Sequence, residues 1–221
     1  MDQYTVTDLF DLEHTLAKPL LAKATYPWEV LGAIKSFIME LGQSLPPEEY
    51  TEIEPQIWVA KSAKVAPTAY LEAPVIVGKE AEIRHGAFVR GSALIGEKAV
   101  VGNSTELKNV ILFDEVKVPH YNYVGDSILG YQAHMGAGSI TSNIKADKTN
   151  VNIRHEGGVF ETGLRKIGAM LGDFADIGCN SVLNPGTLIG RRTNVYPLSM
   201  VRGAVPGGHI YKKAGEVAEK R

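Results

Sequence analysis

Two basic residues and a histidine–tyrosine pair are the residues whose types and spacing could do chemistry. Arg90 and Lys108 lie 18 positions apart, and each directly follows an aliphatic residue. His120 and Tyr123 lie in "VKVPHYNYVGDSILG" (116–130), whose other apolar residues are typical of a plain strand. Two cations that lie close together favour the binding of a phosphate or another anion. An imidazole titrates near neutral pH and therefore suits a general base.

A six-residue repeat must position these side chains. From residue 57 onwards aliphatic residues recur at every sixth position, and the first unbroken run is Val59, Val65, Leu71, Val77, Ile83, Val89, Ile95, Val101 and Leu107. The frame slips by one residue before Leu112 and again before Leu129, and it resumes from Leu171 to Val201. A period of six does not fit a helix, which repeats every 3.6 residues. Short strands joined by corners do fit it, and three such units close a coil of about 18 residues. The repeat therefore predicts an all-β fold, a parallel β-helix of stacked coils.

Stacked coils place residues about one coil apart above one another. Arg90 and Lys108 are then expected to meet at one edge and to form an anion site. The alternative is that both side chains point into solvent or pair with Glu106 and nearby acids. His120 is expected to face outward, with Ala137 of the shortened coil stacked over it. A lone histidine on a strand is also commonly structural or solvated, and this alternative stays open.

The hydrophobic pattern divides the chain into three parts and one insertion. Residues 1–55 predict a short helical segment and a connector, with an amphipathic helix that starts at Pro27 and stops at Gly42. Residues 56–205 carry the β-helix, and 206–221 form a carboxyl-terminal tail. Residues 142–170 lose the period and predict a loop or hairpin inserted into the coils.

Composition narrows the possible partners and the compartment. The 23 Lys and Arg residues nearly cancel the 25 Asp and Glu residues, so no partnership with nucleic acid or with a membrane is expected. No long apolar run or basic leader pattern occurs, which predicts a cytoplasmic protein. The single cysteine, Cys179, excludes an intrachain disulfide.

The segment "NSTELKNVILFDEVKVPHYNYVGDSILGYQAHMGAGSITSN" (103–143) resembles a known family. It is similar to the acetyltransferase domain of the bifunctional N-acetylglucosamine-1-phosphate uridyltransferase/glucosamine-1-phosphate acetyltransferases, including a His-x-x-Tyr-x-Gly-Asp motif. The resemblance implies a left-handed β-helix, a homotrimer, acetyl-CoA as co-substrate, and transfer of the acetyl group to the amino group of a hexosamine 1-phosphate. No uridyltransferase activity is expected, because residues 1–55 predict helices instead of a nucleotide-binding domain.

The resemblance also implies roles for individual residues. His120 would be the general base, with the Glu106 carboxylate close to it. Substrate contacts would come from Arg90, Lys108, Tyr123 and Asn143, and from His134, where the family usually has asparagine. Coenzyme contacts would come from Ala137, from Cys179, where the family usually has serine, and from Pro197. No metal is expected.

Two other functions are compatible with the predicted fold. A metalloenzyme similar to the γ-class carbonic anhydrases would use His85, His120 and His134, although two histidines about five residues apart are missing from the sequence. A non-catalytic solenoid would bind a sugar nucleotide, or would bind a partner protein through residues 1–55. The sequence does not distinguish glucosamine from galactosamine as the acceptor.

Overall fold

The structure is a computed structural model that describes residues 4–220. Its α-helices are α1 (Val6–Leu9), α2 (Lys18–Leu21) and α3 (Ile34–Ser44), with 3₁₀ turns at Leu12–His14 and Pro27–Ala33. Within these residues the strands are β1 (Tyr50–Glu54), β2 (Ile57–Ala60), β3 (Lys64–Val65), β4 (Tyr70–Leu71), β5 (Val75–Val77), β6 (Glu82–Ile83), β7 (Phe88–Val89), β8 (Ala93–Ile95), β9 (Val100–Asn103), β10 (Glu106–Leu112), β11 (Lys117–His120), β12 (Tyr123–Leu129), β13 (His134–Met135), β14 (Ile140–Thr141), β15 (Asn152–His155), β16 (Gly158–Glu161), β17 (Ala169–Leu171), β18 (Asp176–Ile177), β19 (Val182–Leu183), β20 (Thr187–Ile189), β21 (Asn194–Val195), β22 (Met200–Val201), β23 (Ala204–Val205), β24 (His209–Lys213) and β25 (Glu216–Glu219). No helix among residues 4–220 combines the length and the apolar character needed to cross a membrane.

The strands pair in three parallel ladders that run along a rod. The first face consists of β2, β5, β8, β10, β12, β17, β20 and β23. The second face consists of β3, β6, β9, β11, β13, β18, β21 and β24. The third face consists of β4, β7, β10, β12, β14, β19 and β22, because β10 and β12 turn the corner and belong to two faces. The predicted β-solenoid of stacked parallel coils is confirmed.

The register follows the slips of the six-residue repeat. Lys64 pairs with Glu82, so the early coils are 18 residues long. Leu107 pairs with Val124, and the shortened coils contain 17 residues. Each slip in the sequence therefore removes one residue from a corner and leaves the inward side chains in line.

The first face is buried on both of its sides. Its inward residues fill the rod, and its outward residues Ile76, Leu94, Ile111 and Ile128 are also fully or almost fully buried. Helix α3 packs against β5, β8 and β10, and the 3₁₀ turn at residues 27–33 packs against β12. The amino-terminal segment therefore covers an apolar surface that water would otherwise reach.

The helical segment differs in detail from the sequence prediction. The predicted single helix begins as a 3₁₀ turn at Pro27 and becomes α-helical only at Ile34. Gly42 does not stop the helix, since α3 continues to Ser44. A side chain at Gly42 would collide with the indole ring of Trp58, so this glycine allows β2 to pack against the helix.

The insertion forms a hairpin that folds back onto the rod. Strands β15 and β16 pair in antiparallel fashion, and β15 packs against β23. Val151 and Ile153 are fully buried. Their side chains approach Gly186, a corner residue with φ of 78°. The insertion is thus part of the packed body of the protein.

The carboxyl-terminal tail extends the rod before it turns back. Strand β24 joins β21 in parallel, and β25 pairs with β24 in antiparallel fashion. Part of the predicted tail therefore supplies a further rung of the second face.

Candidate active site

The third face and its two corners hold most of the residues that the sequence singles out. At the corner towards the first face, Leu107 pairs with Val89, and the Arg90 N–H donates to the carbonyl of Leu107. Lys108 therefore lies directly over Arg90. The expected stack of two cations is present at this corner.

Both cations have carboxylate partners. Arg90 Nη1 lies 2.7 Å from Glu106 Oε1, and Lys108 Nζ lies 3.4 Å from Asp126 Oδ2. The pairing of Arg90 with Glu106 is the alternative that the sequence left open. A guanidinium has five N–H donors, so Arg90 retains donors for an anion beside the one that Glu106 occupies. The structure gives Glu106 this cation as its partner, and its role beside His120 stays a prediction.

Asp126 lies at the centre of the candidate site and is not among the site residues that the sequence predicts. Its side chain is only 7% exposed. Besides Lys108 it accepts hydrogen bonds from Asn109 Nδ2 at 2.9 Å and from Asn143 Nδ2 at 2.5 Å. These donors offset the cost of burying a carboxylate. Asn109 also donates to the carbonyl of Leu31, which connects the amino-terminal segment to this cluster.

Tyr123 and Asn143 close over a glycine beside this carboxylate. Asn143 Nδ2 also lies 3.3 Å from Tyr123 Oη. A side chain at Gly125 would lie 2.5 Å from that hydroxyl and 2.9 Å from Asn143 Nδ2, so only glycine leaves room for the contact. Burial and then the nearby Asp126 carboxylate raise the pKa of Tyr123, which keeps the phenol protonated as a hydrogen-bond donor.

His120 lies at the opposite corner, between the second and third faces. It ends β11 above Asn103, and its N–H donates to Asn122 Oδ1 at 3.1 Å. Asn122 is itself buried and donates to the carbonyls of Gly136 and Ser139, which holds the corner in place. The imidazole is exposed and has no hydrogen-bond partner among residues 4–220. Its ring nitrogens are thus available to a substrate.

The residues expected on the coenzyme side form a column above His120. The pairing of Lys117 with His134 places Ala137 one coil above His120, and the Gly138 N–H donates to the His120 carbonyl. Two further register pairs, Met135 with Ile177 and Ile177 with Val195, place Cys179 over Ala137 and Pro197 over Cys179. Cys179 and Pro197 are exposed. We call His120, Ala137, Cys179 and Pro197 the histidine column.

His134 lies apart from these residues. It occupies β13 on the second face, directly above Lys117, and its Nδ1 lies 2.8 Å from Asp176 Oδ1. That hydrogen bond lowers the pKa of Asp176. The structure does not bring His134 together with Tyr123 and Asn143, and its predicted contact with the substrate stays a prediction.

The three histidines of the metalloenzyme alternative do not converge. His85 Nδ1 lies 2.7 Å from Thr68 Oγ1, and His134 pairs with Asp176. Among residues 4–220 no three His, Cys, Asp or Glu side chains form a group that could hold a metal ion. The ligand set of a γ-class carbonic anhydrase is not assembled in this part of the chain.

Comparisons with known proteins agree with the resemblance seen in the sequence. Residues 73–162 match the protein family described as the GMPPB C-terminal domain. The chain is 33% identical over 199 residues to the bifunctional protein GlmU of Methanococcus maripaludis, a match that covers 89% of this chain and 48% of the relative. It is 33% identical over 112 residues to the bifunctional sugar-1-phosphate nucleotidylyltransferase/acetyltransferase of Sulfurisphaera tokodaii, covering 51% of this chain and 28% of the relative.

A solved structure that the chain also matches is more distant in sequence. The acetyltransferase domain of PglB from Neisseria gonorrhoeae, in complex with acetyl coenzyme A, is 14% identical with a TM-score of 0.35, over 82% of this chain and 76% of that one. Such a distant likeness does not bear on function. The resemblance to bifunctional proteins of the GlmU kind is confirmed by the sequence relatives, of whose length this chain spans about half or less.

Replacing Asp126 tests whether the cluster is held by its carboxylate. The Asp126→Ala variant leaves two half-buried amide groups and the Lys108 ammonium without their shared acceptor, so we expect the free energy of unfolding to fall by about 2 to 3 kcal/mol. Urea-induced unfolding followed by circular dichroism measures this loss. Asp147→Ala is the matched control, because it removes an exposed carboxylate that also pairs with a lysine, Lys145. Equal unfolding midpoints for the two variants would contradict the central place of Asp126.

Proposed function

We propose that the protein is an acetyltransferase that moves an acetyl group from acetyl-CoA to the amino group of a hexosamine 1-phosphate. The observation that carries the proposal is the position of the histidine column at one edge of the third face and of Arg90, Lys108 and Asn143 at the other edge. Tyr123 lies on the face between them, and its hydroxyl reaches Asn143. The relatives named as bifunctional nucleotidylyltransferases/acetyltransferases support it. The acceptor would be bound across the face between the two edges.

The reaction needs a base and a place for the leaving thiolate. An ammonium group is not a nucleophile, so the amine reacts in its neutral form after its ammonium proton has passed to water, and the His120 imidazole takes one N–H proton of that neutral amine. The nitrogen then forms a bond to the thioester carbonyl carbon, and the carbon–sulfur bond breaks. The proton held by the imidazole passes to the departing sulfur, so that amide and free CoA leave. Cys179 forms no covalent intermediate in this scheme.

The opposite edge would hold the phosphate. An incoming phosphate binds the guanidinium donors of Arg90 that Glu106 leaves free and approaches the half-buried Lys108. Asn143 and the Tyr123 hydroxyl are positioned to contact sugar hydroxyls. This anchor fixes the amino group near His120, and positioning of this kind supplies much of the rate of bimolecular reactions.

A homotrimer forms part of the proposal because the third face is uncovered. Tyr70 and Met200 point outward from this face and are 63% and 61% exposed, and Leu198 at its corner is 80% exposed. The corresponding outward residues of the first face are buried under the amino-terminal segment. Apolar side chains exposed along one face are typical of an interface between protein chains.

Acetyl transfer is tested by the release of free thiol. The protein is mixed with acetyl-CoA and with glucosamine 1-phosphate or galactosamine 1-phosphate, and thiol is followed with a chromogenic disulfide. We expect turnover with at least one sugar and a fall in kcat of about 10²- to 10⁴-fold in His120→Ala. His209→Ala is the control, since His209 lies in β24 and outside the histidine column.

Two outcomes of the thiol assay contradict the proposal. If neither sugar phosphate releases thiol while both bind, the protein is a non-catalytic binder. If His120→Ala releases thiol as fast as the parent, another group is the base.

The subunit number is tested by sedimentation equilibrium. A homotrimer of the 23.9 kDa chain has three times that mass, and Met200→Arg, which places a charge on the exposed face, is expected to dissociate it. Val217→Arg is the matched control, because Val217 is 43% exposed on β25, away from the third face. A parent protein that sediments at the mass of one chain would overturn the trimer.

A further inference from the structure

The inserted segment and the late coils line a cavity beside the candidate active site. The cavity has a volume of about 650 Å³, within the ordinary range for small-molecule sites. Its walls come from the segment that follows Asn143, from the β15–β16 hairpin, and from the corner between the third and first faces. We call it the basic pocket, for the cations Lys145, Arg154 and Arg202 that line it.

The corner that carries Arg90 and Lys108 continues into this pocket. The Ser142 N–H donates to the carbonyl of Leu183, and the Asn184 N–H donates to the carbonyl of Val201. Ser142, Asn184 and Arg202 therefore lie in the same column as Arg90 and Lys108, further along the rod. The Asp126 cluster lies between the two cationic ends of this column.

Two arginines line the pocket, and neither has an ion-pair partner among residues 4–220. Lys145 pairs at 3.3 Å with Asp147, which also lines the pocket, but neither Arg154 nor Arg202 forms an ion pair in the described part of the chain. The two side chains start close to each other, because the backbone at Gly203, next to Arg202, approaches the backbone of Arg154. A side chain at Gly203 would lie 2.5 Å from the Arg154 carbonyl oxygen and 3.2 Å from its Cβ. Like charges held as neighbours repel each other unless an anion joins them.

The pocket also has an apolar wall. Ile144 is 38% exposed and Val159 is 58% exposed, and both line the cavity with Pro185. Exposed branched aliphatic side chains beside two guanidinium groups suit a ligand that has an anionic end and an apolar end. A guanidinium group can donate two parallel hydrogen bonds to the oxygens of one phosphate, so a phosphate or diphosphate ester is the best match.

We propose that the basic pocket binds a nucleotide. The arginines would bind the phosphate or diphosphate group, and the apolar part of the nucleotide would lie against Ile144 and Val159. The site lies next to the candidate acetyl-transfer site and uses different cations. The proposal therefore does not depend on acetyl transfer. A nucleotide-linked sugar and the nucleotide end of CoA are two sources of this chemistry, and both can be supplied as probes.

Isothermal titration calorimetry with pyrophosphate, UDP and CoA tests the pocket. We expect at least one of UDP and CoA to bind the parent more tightly than pyrophosphate, and its affinity to fall at least tenfold in Arg154→Ala/Arg202→Ala. Arg165→Ala is the matched control, because Arg165 is an exposed arginine of the same insertion that does not line the pocket. The probe that loses affinity identifies the source of the phosphate.

A second pair of variants separates this pocket from the candidate active site. If the affinity falls in Arg90→Ala/Lys108→Ala and not in Arg154→Ala/Arg202→Ala, the phosphate binds at the other end of the column and the proposal is wrong. It is also wrong if none of the three probes binds the parent. The melting temperature of Arg154→Ala/Arg202→Ala should equal or exceed that of the parent, because the change removes a repulsion, and this measurement shows that the variant is folded.

Discussion

The register between neighbouring coils is the constraint on which the rest of the structure depends. Each coil donates and accepts backbone hydrogen bonds along all three faces, and its inward aliphatic residues fill the rod. A shift by one residue would turn these apolar side chains to the outside, so the register is strongly specified. Residues one coil apart are consequently held about 4.8 Å from each other in fixed columns. A column can bring together cations or polar groups that would not otherwise stay adjacent, and both edges of the third face use it in this way.

The Asp126 cluster shows how a column can hold a buried charge. Asn109 lies one coil below Asp126 and Asn143 one coil above it, so the carboxylate is between two amide donors of the same column. Lys108 supplies the opposite charge from the neighbouring position. A rigid set of donors of this kind does not have to reorganise when a substrate binds. In the basic pocket the approach of Gly203 to the Arg154 backbone brings Arg154 and Arg202 to neighbouring positions, and neither forms an ion pair among the described residues.

The parts of the fold that could be predicted from the sequence are those that repeat. The inward positions, the two short coils and the insertion follow from the period of six, because each can be found by counting residues along the sequence. Asp126 could have been found by the same counting, because Asn109, Asp126 and Asn143 recur every 17 residues. The position of the amino-terminal segment on the first face could not be predicted, because it depends on how a segment without a repeat docks. Gly42 is an example: a sequence pattern indicates a helix end, whereas the reason for the glycine is the Trp58 ring from a distant strand.

The single cysteine provides the most direct measurement of where the coenzyme binds. Cys179 is exposed and lies in the histidine column, two coils above His120. Its rate of alkylation by iodoacetamide is measured by mass spectrometry with and without CoA. If acetyl-CoA binds along this column with its thioester beside His120, saturating CoA must slow the alkylation of Cys179 at least tenfold. An unchanged rate at a CoA concentration that saturates binding would show that the coenzyme lies elsewhere and would contradict the proposed site.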